Sequence, residues 1–179
     1  MEPQSKSEAL IALVQAGEPN LLQVLATLAE HPHRELVTDT PLVSLQDLTE
    51  PDTERFLELV TDPTALSPAW DEPVHFQYQG FSYQFTKIYD ARPRVTFDTH
   101  PNRFVVHVVR RLQDALLDTE DEAAQTLAAT LGGLLSRGGL AQCGTAQRLT
   151  ADHNVLRKDP NYREVLKLSV TLSEILAGP

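Results

Sequence analysis

Apolar residues recur at helical spacing over residues 7–16, where Leu10, Ile11, Leu13 and Val14 fall together and Gly17 supplies a stop. Pro19 fits the first turn of a second helix, whose Leu21, Leu22, Val24, Leu25 and Leu28 make an apolar stripe ending near His31 and Pro32. The two stripes predict a helix pair. Thr49, with Asp52 three positions on, resembles a capping signal for a third helix carrying Phe56, Leu57, Leu59 and Val60, which Asp62 and Pro63 close. Residues 61–73 are dense in proline and polar side chains and read as a loop or linker.

The period then changes from that of a helix to that of a strand. Val74, Phe76 and Tyr78 alternate with His75, Gln77 and Gln79, and beyond Gly80 the residues Phe81, Tyr83 and Phe85 alternate with Ser82, Gln84 and Thr86. This predicts a β-hairpin turning at Gln79 and Gly80, where glycine accepts the positive φ of a primed turn. Most of the aromatic residues lie here, and a strand stripe of this kind is either core or a stacking platform for bases. Residues 94–97 add a further short strand. From Thr99 onward the pattern is helical again. Pro101 fits a first turn, and Phe104, Val105, Val108, Val109, Leu112 and Leu116 form a broad apolar face continuing to Leu117. Thr119 with Glu122 reads as a capping box before Leu127, Leu131, Leu134 and Leu135, and Gly138 and Gly139 end that run. Asp159 as cap and Pro160 at the first position open a last helix, with Tyr162, Val165, Leu166, Ser169, Leu172, Ile175 and Leu176 around its buried side and Gly178 at its end.

The expected fold class is α+β, mainly α: an N-terminal helical region over 1–63, a linker and small β-hairpin element over 64–98, and a C-terminal helical bundle over 99–179. The 179 residues carry 15 Lys+Arg against 25 Asp+Glu, a net charge of −10. The charge is uneven, with 4 basic and 15 acidic residues up to Ala91 but 11 basic and 10 acidic from Arg92 onward. An acidic first half is repelled by phosphate backbones, so the chain is expected to be a poor DNA binder on its own, with any nucleic acid contact in the later half. One cysteine excludes an internal disulfide framework and fits a reducing compartment. The absence of a long apolar run and of a basic-then-apolar start predicts a cytoplasmic protein without a membrane contact.

Candidate chemistry is sparse. His31 and His33 form an H-x-H pair and His100 and His107 could share a helix face, but neither pair has a carboxylate or thiolate at ligand spacing, so no metal site and no cofactor are expected. Cys143 could pair with His153 ten residues on, yet nothing around it resembles a catalytic cysteine, and an inert thiol is expected. Glu164 and Lys167 are the nearest approach to a nuclease carboxylate and lysine, and at i, i+3 they form a surface ion pair instead. No phosphate-binding glycine loop is present. What stands out is a row: Arg103, His107, Arg110 and Asp114 fall at i, i+4, i+7 and i+11 along one side of the helix after Thr99.

Two strings carry a resemblance. Residues 98–107, D-T-H-P-N-R-F-V-V-H, resemble the helix start T-P-E-N-R-F-V-K-H of McrC-like proteins, partner subunits of modification-dependent restriction systems, and of their relatives in the PD-(D/E)xK nuclease superfamily. Residues 154–166, N-V-L-R-K-D-P-N-Y-R-E-V-L, resemble the family's V-L-x-x-D-P-x-Y-R-E-V-L segment, which follows at a similar remove. The match covers residues 92–176 and leaves 1–73 without a counterpart. It departs at His100, between Thr99 and Pro101, and in lacking the family's acidic residue between proline and asparagine.

In that family the helical region is a scaffold preceding a nuclease domain that holds the catalytic motifs, so the resemblance assigns no catalytic residue here. It implies a non-catalytic adaptor or scaffold subunit of a prokaryotic DNA-targeting defence or restriction assembly, partnered by a nuclease chain or an AAA+ NTPase, with DNA reached through the complex. Two alternatives stay open: a fragment of a modification-dependent DNA endonuclease whose nuclease domain is absent from this chain, and a free-standing protein-interaction module. The matched polar residues sit in first turns, where asparagine can bond free backbone groups and arginine can reach a carboxylate or phosphate. They either lock the helices together or contact a partner or phosphate. Asn102, Arg103, His107, Arg110, Tyr162 and Arg163 are the candidate contact residues.

Overall fold

In the computed structural model, which describes residues 5–70, 73–144 and 150–178, two reciprocal capping boxes start the first two helices. The Ser5 hydroxyl accepts from the amide of Glu8 at 3.2 Å while the Glu8 carboxylate accepts from the amide of Ser5 at 2.9 Å, opening α1 (Lys6–Gln15). Asn20 and Gln23 repeat the exchange at 3.0 Å each way for α2 (Leu21–Glu30). Pro19 therefore precedes the cap and does not enter the first turn of α2. Met1–Gln4, Asp71 and Glu72, which bear on the expected chain start and linker, lie outside the described residues.

The chain divides into two compact units, Met1–Glu35 with Thr96–Pro179, and Leu36–Val95. This differs from three consecutive regions cut at 63 and 98, and burial is the reason. Leu10 and Val14 of α1 and Val24, Leu25 and Leu28 of α2 share one core with the C-terminal helices α4 (His100–Leu117), α5 (Glu122–Leu135), α6 (Asn154–Lys158) and α7 (Pro160–Ala177). To that core α4 contributes Phe104, Val105, Val108, Val109, Leu112 and Leu116, α5 contributes Ala128 and Leu131, and α7 contributes Val165 and Leu172. Each such leucine or valine, taken from water, contributes roughly 1.5–3 kcal/mol, so the N-terminal helices are committed to the C-terminal ones. A 3₁₀ turn, Leu140–Gln142, follows α5 and buries Leu140 in the same core.

The caps of the later helices differ in part from expectation. Asp159 caps α7 through the amides of Asn161 and Tyr162 with Pro160 at the first position, as the sequence indicates. α5 is capped by Asp121, whose carboxylate accepts from Ala123 at 2.8 Å, whereas the Thr119 hydroxyl donates backwards to the Leu116 carbonyl. An aspartate directly before the first turn has the shorter reach.

Among the described residues the second unit holds α3 (Phe56–Thr61) and seven short strands: β1 (Glu35–Asp39), β2 (Leu42–Ser44), β3 (Leu66–Pro68), β4 (Phe76–Tyr78), β5 (Phe81–Phe85), β6 (Lys87–Tyr89) and β7 (Arg92–Thr96), β1 and β7 each reaching one residue past its boundary. The hairpin stands as read, with Phe76 opposite Tyr83 and Tyr78 opposite Phe81. Its turn residues Gln79 and Gly80 both have positive φ, 51° and 81°, which matches the strand twist. The stretch read as a linker supplies a third strand, β3, antiparallel to β5 with Leu66 opposite Phe85. β2 pairs with β6, and β1 with β7.

The expected cap at Thr49 is absent. Asp52 instead accepts from the amides of Glu54 and Arg55 ahead of α3, while the Thr49 and Glu50 amides are held at 3.0 and 2.6 Å by Asp90, a fully buried carboxylate. These bonds, with the Arg92 guanidinium, favour ionised Asp90 and lower its pKa. In the same unit Leu59, Ala65, Phe85 and Ile88 form a small separate core. The fold is α+β and mainly helical, with small antiparallel sheets, and no helix among the described residues is long and apolar enough to cross a membrane.

Candidate functional site

The two strings that carry the resemblance meet in the first unit. Asn102, fully buried in the first turn of α4, donates from Nδ2 to the carbonyls of His33 and Phe97, each at 2.7 Å. Its Oδ1 accepts from the amide of His33 at 3.2 Å and from the hydroxyl of Tyr162, in the first turn of α7. The Tyr162 oxygen in turn accepts from the same His33 amide at 2.7 Å. One amide side chain thus ties α4 to α7, to the segment leaving α2 and to the chain entering α4. Burial pushes the Tyr162 hydroxyl up to about 12, so it stays a donor. Asn102 and Tyr162, offered by the sequence as contact groups, are interior residues whose polar atoms are bonded within the chain.

Arg103, next to Asn102, is pinned by Asp98. Its Nε and Nη2 donate to the two carboxylate oxygens at 2.7 and 2.6 Å, and the amide of Gly144 donates to Asp98 at 2.8 Å. The guanidinium holds the Asp98 carboxyl at about 2, against an opposing effect of partial burial, and the Gly144 amide assists. Because the folded value lies below the ordinary 3.8, this contribution to stability is complete above that pH and is lost as the pH falls through about 2. In Arg103→Gln the Asp98 carboxyl is expected to titrate at clearly higher pH by carboxyl-carbon NMR; an unmoved midpoint refutes the pairing.

Beyond Arg103 the predicted row is present. Arg103, Val106, His107, Arg110, Arg111, Asp114 and Gly144 line one groove of about 240 Å³ along α4. His107, Arg110 and Arg111 are exposed, and neither arginine of this pair forms an ion pair among the described residues. Arg111 was missed by the sequence reading, although its i+4 spacing from His107 places it beside the row. Arg163 is exposed on α7 and is not among the groove residues. With Arg103 neutralised by Asp98, the cationic character of the groove rests on Arg110 and Arg111, partly offset by Asp114.

The other candidate groups have local partners. His100 stacks on His153 with ring centroids 5.3 Å apart and bonds the Thr150 carbonyl at 2.9 Å, and His153 accepts from the Val155 amide to cap α6. His33 lies 3.3 Å from Glu35. Among the described residues no group of three or more His, Cys, Asp or Glu side chains could hold a metal ion. Burial pushes the Cys143 thiol up to about 11, and its sulfur faces the Phe97 and Gly139 carbonyls at 3.3 and 3.4 Å, the environment of an unreactive thiol. Glu164 and Lys167 form an exposed ion pair at 2.7 Å.

A family model described as Domain of unknown function (DUF2357) matches residues 2–169, a span that includes both units. No curated protein and no solved structure matches the chain.

Proposed function

We propose, for a chain that belongs to the DUF2357 family of domains of unknown function, a non-catalytic role as adaptor or scaffold subunit of a prokaryotic, cytoplasmic DNA-targeting defence or restriction assembly of the McrC-like kind. It positions a nuclease chain or an AAA+ NTPase on DNA. The observation that carries this reading is the row of His107, Arg110 and Arg111 on α4, a helix whose first turn is fixed to α7 by the Asn102–Tyr162 bond. Guanidinium groups on a helix held by buried hydrogen bonds suit a phosphate backbone, which asks for charge at fixed spacing and no base recognition. The helical C-terminal region is compatible with the scaffold that the resemblance implies. With a net charge of −10 the whole chain binds DNA weakly alone, at roughly 10⁻⁴ to 10⁻⁶ M, and the assembly supplies the remaining affinity.

Arg110→Ala with Arg111→Ala tests the reading. Both side chains are exposed, so the melting temperature should move little, while affinity for a labelled duplex should fall and the slope of log K against log salt should shrink by about 2, one for each lost phosphate contact. Unchanged duplex binding in the double variant overturns the phosphate contact, and magnesium-dependent plasmid cleavage by the purified chain overturns the non-catalytic role.

A further inference from the structure

The β unit has a surface that the first unit lacks. Of the twelve large apolar side chains left exposed among the described residues, ten lie in Leu36–Val95, although the first unit is the larger. Its core of Leu59, Ala65, Phe85 and Ile88 is too small to take them in. They are not scattered evenly. Val60, Pro63, Leu66, Pro68 and Tyr83 line a groove of about 410 Å³ between α3, β3 and β5, and Leu57, 81% exposed, sits one turn before Val60 and Thr61 on the same side of α3. An apolar groove continued by an exposed leucine is the form in which a soluble domain presents an interaction site.

Charge selects the occupant. The unit carries 4 basic residues against 10 acidic ones, and three of the four, Arg55, Arg92 and Arg94, are bonded inside it to Glu58, Asp90 and Asp39. Glu54 lies three positions before Leu57, and Asp62 stands between two residues of the groove. A second copy brings the same negative charge, and an anionic lipid surface repels it. We infer that this groove of the β unit docks a basic amphipathic segment of a partner protein, apolar side chains entering beside Leu57, Val60 and Tyr83 and lysine or arginine meeting the carboxylates around them. The inference goes beyond the phosphate reading of α4 and stands without it, since it uses the other unit and the opposite charge.

The chain carries its own reporter. Trp70, its single tryptophan, is 90% exposed and follows Pro68 of the groove by two positions. The full chain is titrated with a synthetic amphipathic peptide of leucine and lysine, with leucine–glutamine and leucine–glutamate peptides of the same pattern as controls. The lysine peptide should shift Trp70 emission to the blue saturably, the glutamine peptide should bind about tenfold more weakly, and the glutamate peptide should not bind. Leu57→Ser should weaken the lysine peptide about tenfold with an unchanged melting temperature, and Arg110→Ala with Arg111→Ala should leave it unaltered, which separates this result from duplex binding. Equal binding of the lysine and glutamate peptides, or indifference to Leu57→Ser, overturns the proposal. So does a Leu57-dependent dimer in sedimentation, or a larger Trp70 shift with phosphatidylserine vesicles than with the peptide.

Discussion

Asn102→Ala is expected to cost about 3–5 kcal/mol of stability, which lowers the melting temperature of a chain this size by roughly 10 °C. The side chain is fully buried and serves four hydrogen bonds, so alanine leaves the His33 and Phe97 carbonyls and the Tyr162 hydroxyl without their partner. A buried group that loses its partner costs about 1–3 kcal/mol, and partial rearrangement keeps the sum below three times that. Asn102→Asp keeps the shape but replaces the donor that serves two carbonyls with an acceptor, so it should be at least as harmful as alanine. Tyr162→Phe should lose less, about 1–2 kcal/mol: it removes both the donation to Asn102 Oδ1 and the acceptance from the His33 amide, but the His33 amide and Asn102 Oδ1 still bond each other, so no group is left without a partner. Chemical denaturation of the three variants checks the order, and a double-mutant cycle between 102 and 162 should return a coupling of about 1 kcal/mol or more. An Asn102→Ala variant within 1 kcal/mol of the parent would remove the node from any account of how the motif works.

That node also explains which parts of the molecule were legible in the sequence. The stripes on α1, α2, α4, α5 and α7 follow a 3.6-residue period that burial imposes locally, and the alternation around Gln79 and Gly80 follows the period of two, so these elements could be read without knowing what they pack against. β1, β2, β3 and β6 have three to five residues each, none of them pairs with a strand adjacent in sequence as β4 and β5 do, and β3 contains Pro68. Their strand character comes from pairing at a distance, 15 to 19 positions for β3 with β5, 43 to 47 for β2 with β6 and more than 50 for β1 with β7, which no local window contains. The site divides in the same way. The row Arg103, His107, Arg110 is one helix face and was visible from spacing, whereas the bond from Asn102 to Tyr162 spans 60 positions, and the hold of Asp98 on Arg103 depends on a loop conformation. Asn102 and Tyr162 stand out because they belong to recognisable strings; the period of α7 already places Tyr162 on its buried side, whereas the burial of Asn102 could not be seen, since a polar residue in a first turn is compatible with either side of the helix.

Gly138→Ala is expected to be the most damaging single glycine substitution, at about 3 kcal/mol or more, although it adds only a methyl group. Gly138 has φ of +55° where the chain leaves α5, a conformation costing other L-residues about 1–2 kcal/mol. The added Cβ would stand 2.0 Å from the carbonyl oxygen of Ala29, a backbone atom in the last turn of α2 that no side-chain rotation can move aside. Relief requires α2 and the α5 exit to separate, and the neighbouring Gly139 leaves no slack, since a Cβ there meets Pro32 at 2.4 Å and Phe97 at 2.9 Å. Phe97 is one of the carbonyls bound by Asn102, so the strain is carried towards the same node. Gly133 provides the control: it lies in α5 with nothing within 4 Å of a built Cβ, and Gly133→Ala should stabilise by about 0.5–1 kcal/mol through helix propensity alone. Opposite signs for two glycines five positions apart, measured by urea denaturation on the full chain, are the expected result; a Gly138→Ala variant as stable as the parent would show that α2 and the α5 exit do not approach as closely as 2.0 Å implies.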